Sequence, residues 1–234
     1  MLRRISILVI SLASVAICGQ FDMKECGKTK TCLFRDPSCK ESGERCALAI
    51  SYRMPEAGLI EWEMLGTVPS ATHSYISVGL SADDKMGEDF VTECSWIGNE
   101  SGFTAKLSFN KYAFPNKTRP FNSRIDGEEQ VRSRLIKEWN SSYEDGSLYC
   151  RVLQVVDGSA NADEISEMIY RWSADGMYVL GAVGQTNEEG LLIHDNDGAY
   201  IWEKPSEFKF NGISSLCTRM ATAVALPLLL KLLV

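Results

Sequence analysis

Residues 76–94 read ISVGLSADDKMGEDFVTEC. Ile76, Val78 and Leu80 alternate with Ser77 and Gly79, the two-residue period of a strand with one buried face. A second apolar run, Phe90 to Ile97, follows after nine residues rich in charge and turn formers. The order reads as strand, charged loop, strand, and the loop holds one large apolar side chain, Met86. A thioether inside a run of carboxylates either folds back onto a core or serves as a ligand.

The same alternation recurs outward from this stretch. Strand-like runs lie over 46–53, 59–65, 74–80, 103–109, 148–156, 165–172, 177–183 and 200–202. Turn signals such as Met54-Pro55 and Asp175-Gly176 separate them. The one helical contender is Glu128 to Trp139, with Val131, Leu135 and Ile136 near helical spacing. Alternation fits nearly as well there, and the segment is read as a strand. Many short, regularly spaced strands predict an all-β protein, an immunoglobulin-like β-sandwich of about 9–11 strands.

Both ends differ from this middle. Arg3 and Arg4, the apolar run Ile5 to Ile17 and small residues near Ala16 and Gly19 read as a secretory signal over 1–19. Ala221 to Val234 is apolar but short, against the roughly 20 residues a spanning helix needs. With a polar spacer over 214–219 and small residues before it, the order matches a GPI attachment signal, Asn211 being the expected attachment residue. A single-pass C-terminal anchor is the alternative. The expected organisation is a signal peptide over 1–19, a cysteine-rich segment over 20–45, a sandwich over 46–204, a linker over 205–211 and a propeptide over 212–234.

The formal charge is −7. Loss of the two ends would remove Arg3, Arg4, Arg219 and Lys231 but no carboxylate, leaving a more acidic domain. Such a surface does not suit nucleic acid or anionic lipid. It suits a soluble extracellular domain, or a partner carrying cations.

Of eight cysteines, Cys18 and Cys217 fall in the expected end signals. The remaining six, Cys26, Cys32, Cys39, Cys46, Cys94 and Cys150, imply a disulfide set in a secreted chain, and the sequence does not choose its pairing. Zinc is poorly supported, with no CxxC and only two histidines, His73 and His194. Sequons at Asn99, Asn116 and Asn140 mark expected glycosylation sites in exposed loops.

Histidine scarcity also argues against hydrolytic triads, and neither a nucleophile elbow nor a Gly-rich phosphate loop is present. Asp195-Asn196-Asp197-Gly198 has the look of a calcium loop. The position that would need a bidentate Glu is Ser206, so a turn is the better reading. An electron-transfer or binding protein is expected rather than a stand-alone enzyme.

The run ISVGLSADDKMGEDFVTEC resembles the signature of DOMON domains in ferric-chelate reductase-like proteins. YVLGAVGQTNEEGLLIHDNDG, from Tyr178, is similar to that family's late strand, Gly-rich turn and ligand histidine. The resemblance covers roughly Cys46 to Trp202 and implies a DOMON-like sandwich. In haem-binding members, including the cytochrome domain of cellobiose dehydrogenase and plant GPI-anchored cytochromes, a methionine and a histidine bind haem b. The matching positions here are Met86 and His194. The resemblance then implies a six-coordinate, non-covalent haem suited to one-electron transfer, since no CxxCH is present. The haem is expected between the two loops at one end of the sandwich, with Trp62, Trp96, Tyr75, Phe103 and Trp172 as candidate wall residues. Ferric-chelate reductases add a six-helix cytochrome b561 module and often a reeler domain, neither of which is in this sequence. The expected partners are therefore a membrane cytochrome or other cell-surface protein and small redox molecules. The alternative is a haem-free interaction module that binds a receptor, a carbohydrate or another surface partner.

Overall fold

Ile60, Trp62 and Met64 alternate with Glu61 and Glu63, and the chain there forms a strand whose apolar side is sealed: all three apolar side chains are at most 1% exposed. The computed structural model describes residues 21–42, 46–81, 83–87, 89–112, 120–125, 127–156, 177–194 and 198–202. A short 3₁₀ turn, Met23–Glu25, opens the described chain. The strands are β1 (Thr31–Phe34), β2 (Leu48–Arg53), β3 (Leu59–Thr67), β4 (Ser74–Ser81), β5 (Phe90–Ser95), β6 (Thr104–Tyr112), β7 (Pro120–Arg124), β8 (Ile136–Glu144), β9 (Ser147–Val155), β10 (Tyr178–Gln185) and β11 (Ala199–Ile201). Two helices, α1 (Cys39–Ser42) and α2 (Glu128–Leu135), interrupt them.

Among the described residues the strands make two sheets, ordered β1-β2-β3-β9-β8 and β11-β10-β4-β5-β6-β7. Every ladder is antiparallel. The inner faces meet in one core that includes Leu48, Ile50, Trp62, Met64, Ile76, Val78, Leu107, Leu148, Val152 and Val179. Burial of an aliphatic side chain of this size contributes about 1.5–3 kcal/mol relative to exposure. The expected all-β sandwich is present, with the alternating apolar residues of β3 and β4 turned inward as the sequence predicts. Cys94 of β5 is bonded to Cys150 of β9, so a disulfide crosses the core from one sheet to the other. Cys26–Cys32 and Cys39–Cys46 staple the N-terminal segment.

That segment lies on the outer face of the five-stranded sheet. Phe21, Cys39 and Cys46 pack there against Ala49 and Tyr149. Lys30, only 7% exposed, is paired with Glu63 of β3 and lies over the Phe21 ring at 4.5 Å. The Glu63 carboxylate also accepts from Ser51 Oγ at 2.8 Å and from the Tyr149 hydroxyl at 3.0 Å. Every oxygen of this buried carboxylate is thus satisfied, as burial requires.

Three local readings are corrected. Glu128 to Trp139 is not one strand: Glu128–Leu135 is helical, and β8 begins at Ile136. Val131 and Leu135 are one helical turn apart and both enter the core, which settles the period in favour of 3.6. Strands β1 and β7 were not expected, β1 being embedded in the cysteine-rich lead-in and β7 opening on Pro120. Trp62 and Phe103 are core residues between the sheets rather than walls of a ligand site. The strand expected over 165–172, Trp172, the end signals, the linker, Asn116 and Asn211 lie outside the described residues, as do Asp195, Asn196 and Asp197.

Candidate functional site

Because strand side chains alternate, the residues between the core positions of β4, β5 and β10 face outward. Tyr75, Ser77 and Gly79 of β4, Val91 of β5 and Leu180 and Ala182 of β10 do so, and they floor a cavity of about 210 Å³. Its walls are Met86, the segment Leu191–His194, and Asn110, Phe121 and Asn122 from the β6–β7 ribbon. Met86 and His194, over a hundred residues apart in sequence, therefore line one cavity. It lies on the outer face of the six-stranded sheet, not at the end of the sandwich. This corrects the expected location. Of the five expected wall residues Tyr75 alone, among those described, lines it; Trp96 instead packs edge-on against Phe103, with ring centroids 5.7 Å apart.

The loop that presents Met86 is built by short-range polar contacts. Asp83 and Lys85 donate main-chain N–H groups to Ser81 Oγ at 3.2 Å and Asp83 Oδ1 at 3.0 Å. Ser81 Oγ in turn donates to the Lys85 carbonyl at 3.3 Å. Side chains of Ser and Asp bonding backbone two residues away are the usual device for reversing a chain. The far side is held by Asp89, which is 2% exposed. Its Oδ2 accepts from Gly87 N at 2.8 Å and from Asn110 Nδ2 at 3.4 Å. Burial pushes the Asp89 carboxyl above its ordinary range, against the opposing pull of the Gly87, Ser81 and Asn110 bonds.

The segment that presents His194 is tied down differently. Asn187 Oδ1 accepts from the Glu189 and Gly190 amides, both at 2.9 Å, and turns the chain. The Leu192 amide donates to Gln185 O at 2.9 Å, and the Tyr75 hydroxyl donates to Leu192 O at 3.2 Å. Room for the Tyr75 ring comes from Gly184, where a Cβ would lie 2.7 Å from Tyr75 Cε1. Gly181 serves the opposite face: a Cβ there would lie 2.7 Å from Ile50 Cδ1 of the facing sheet. The Gly181-x-x-Gly184 spacing thus opens one face for core packing and the other for the cavity.

Beside the cavity the outer face is polar and dry. Glu93 is fully buried, and its carboxylate accepts from Ser95 Oγ at 2.8 Å and Ser108 Oγ at 2.7 Å. Arg124 Nη1 lies 2.7 Å from Glu93 Oε1, and Asn122 Nδ2 donates to Ser108 Oγ at 2.9 Å. Sequence reasoning missed this cluster and the contribution of Asn110, Phe121 and Asn122. Nothing local marks them, since their roles come from the pairing of β6 with β7 and of β5 with β6.

The mouth is apolar. Phe121 is 48%, Leu192 40% and Ile193 51% exposed, and these are three of the five large hydrophobic side chains standing out from the described surface. Exposed apolar groups clustered at one cavity mark a binding surface. The second histidine and the described sequons lie elsewhere. His73 bonds Gly98 O through Nε2 at 3.1 Å and stacks on Trp96. Asn99 is exposed in the turn after β5, whereas Asn140 is half-buried on strand β8 and not in the exposed loop expected of it. Among the described residues no three His, Cys, Asp or Glu side chains gather as a metal site. No described helix is long and apolar enough to cross a membrane.

No family model matches the chain. Curated relatives do. DOMON domain-containing protein FRRS1L from Homo sapiens is 39% identical, and that from Mus musculus 37% identical, over 83% of this chain and 58% of each relative. A protein named as a ferric-chelate reductase 1 homolog from Drosophila melanogaster is 28% identical over 54% of this chain and 18% of its own length. The chain thus spans little more than half of the first two relatives and under a fifth of the third. Among solved structures, the cytochrome domain of Myriococcum thermophilum cellobiose dehydrogenase aligns over 81% of this chain and 86% of its own, with a TM-score of 0.42 and 14% identity. Over most of its own length the chain is thus similar to DOMON domain-containing proteins, and over about half of it to a ferric-chelate reductase homolog.

Proposed function

We propose that the cavity on the outer face of the six-stranded sheet holds a haem b, with Met86 and His194 as the two protein ligands, and that the domain transfers single electrons. The observation that carries this reading is that one thioether and one imidazole line the same mostly apolar cavity. A bare metal ion asks a protein for more ligands than these two. An iron whose equatorial donors belong to a macrocycle asks for two, so the donor set fits the group. Met86 and His194 would hold such a group, which would supply one-electron exchange.

The protein's own residues supply the rest. Gly79 and Ala182 keep the cavity floor low, while Val91, Leu180 and Leu191 keep water from it. Phe121, Leu192 and Ile193 would be covered by a flat apolar ligand that extends past the cavity mouth. That extension is needed: at about 210 Å³ the cavity is smaller than the roughly 300–1,000 Å³ of ordinary cofactor sites. One edge of the ligand would stay outside, where a partner can reach it.

The name of the Drosophila melanogaster relative makes ferric chelates a class of acceptor to try, with a membrane cytochrome as a candidate redox partner. We further propose that the domain works at the cell surface, glycosylated at Asn99 and tethered by lipid at Asn211. Three disulfides among the described residues favour an oxidising compartment. Titration of the purified protein with haem b tests the central reading. It should give one-to-one binding with a low-spin spectrum and sharp reduced α and β bands. A protein that leaves haem in solution would overturn it.

A further inference from the structure

The Met86 loop is short, exposed over 83–85, and held on its far side by a single buried carboxylate. We propose that Asp89 is the positioning residue for the methionine ligand. Its Oδ2 fixes the amide of Gly87, next in the chain to Met86, and so fixes where the thioether stands over the cavity. This rests on the haem reading above for its consequence, though not for its geometry.

Three observations converge. The Gly87 N–H to Asp89 Oδ2 bond is 2.8 Å and sealed from solvent, so water does not compete for the amide while the carboxylate is in place. The same oxygen accepts from Asn110 Nδ2, and Asn110 itself lines the cavity. The Asp89 main-chain oxygen accepts from Asn110 N at 2.9 Å, so the carboxylate is anchored to β6 and not merely to its own loop. Methionine is the flexible partner of the ligand pair, with three rotatable bonds and no second donor to orient it. Its placement has to come from the backbone, and among the described residues the Asp89 carboxylate is the side chain that holds the backbone at Gly87.

The test compares D89A, D89N and wild type in two states. An asparagine keeps an oxygen acceptor for Gly87 N–H, and an alanine does not. Without haem, amide hydrogen exchange at Gly87 should quicken at least tenfold in D89A and return toward wild type in D89N. With haem b added, D89A should still bind through His194. It should lose the sulfur-to-iron charge-transfer band of the ferric protein and roughly 10-fold in affinity, the loss usual for a group that orients a metal ligand. D89N should keep the band. If Gly87 exchanges at the wild-type rate in D89A, or if D89A keeps the band, the inference fails. If wild type binds no haem, the haem reading fails, and exchange at Gly87 alone then decides whether Asp89 holds the loop.

Discussion

The Tyr75 hydroxyl meets the Leu192 carbonyl at 3.2 Å, and this contact joins the outward face of β4 to the segment that ends in His194. The two residues are 117 apart in sequence. One phenol thus places the imidazole side of the cavity, as Asp89 places the thioether side. Y75F keeps the ring and removes the bond. It should cost about 0.5–1.5 kcal/mol in urea unfolding, the usual net worth of one hydrogen bond. It should also raise exchange at amides 191–194. Wild-type exchange there would show that the phenol does not hold the segment.

Gly184 carries the same ring from the other side. G184A puts a methyl 2.7 Å from Tyr75 Cε1 and 2.9 Å from its hydroxyl oxygen. The ring must swing away and release Leu192. The expected cost is about 1–3 kcal/mol, the range for overpacking a filled site. Denaturant unfolding reads the loss, and Y75F/G184A should lose less than the sum of the singles.

Much of this arrangement is legible in the sequence, and the division has a physical cause. The alternation of Ile60-Trp62-Met64 and of Ile76-Val78 is local, and the two-residue period reads it directly. The spacing Gly181-x-x-Gly184 is legible only as a pattern; its reason, one glycine per face, needs both sheets. Glu128–Leu135 misleads because Val131, Leu135 and Ile136 satisfy two periods at once, and packing into the core decides between them. Buried charges are the least legible. Glu61 finds Arg151 at a separation of 90 residues and Glu63 finds Lys30 at 33, and no local window contains both partners. Met86 stands out in the sequence as a thioether in a charged run and His194 only through the family resemblance, but their common cavity is a property of the sheet beneath them.

The N-terminal segment should behave as an integral layer. Lys30 and Glu63 are buried together, and K30M strands the carboxylate with only Ser51 and Tyr149 as donors. Removing one partner of a buried pair costs about 3–5 kcal/mol. A double variant, K30M/E63Q, should recover most of that loss. Equal stabilities for K30M and wild type in urea would mean that the segment does not rest on this pair.

Two phenols should resist ionisation. Burial, then the nearby Glu93, raises Tyr75; burial, then Glu63, raises Tyr149, both above the ordinary value of 10.0. The folded protein then holds protons that the unfolded chain gives up, so stability is full below about pH 10 and falls as pH rises beyond it. Phenolate absorbance should show these two tyrosines titrating only as the protein unfolds. Y149F should flatten the alkaline loss. Reversible titration of every tyrosine near its ordinary value, with the fold intact, would contradict the burial described here.

The most direct measurement is the visible spectrum of haem-loaded wild type beside M86A and H194A. Wild type should be low-spin in both oxidation states. M86A should lose the sulfur-to-iron band, and H194A should lose the low-spin spectrum or the haem itself. If both variants reproduce the wild-type spectrum, the two side chains do not ligate iron, and the cavity they share serves another ligand.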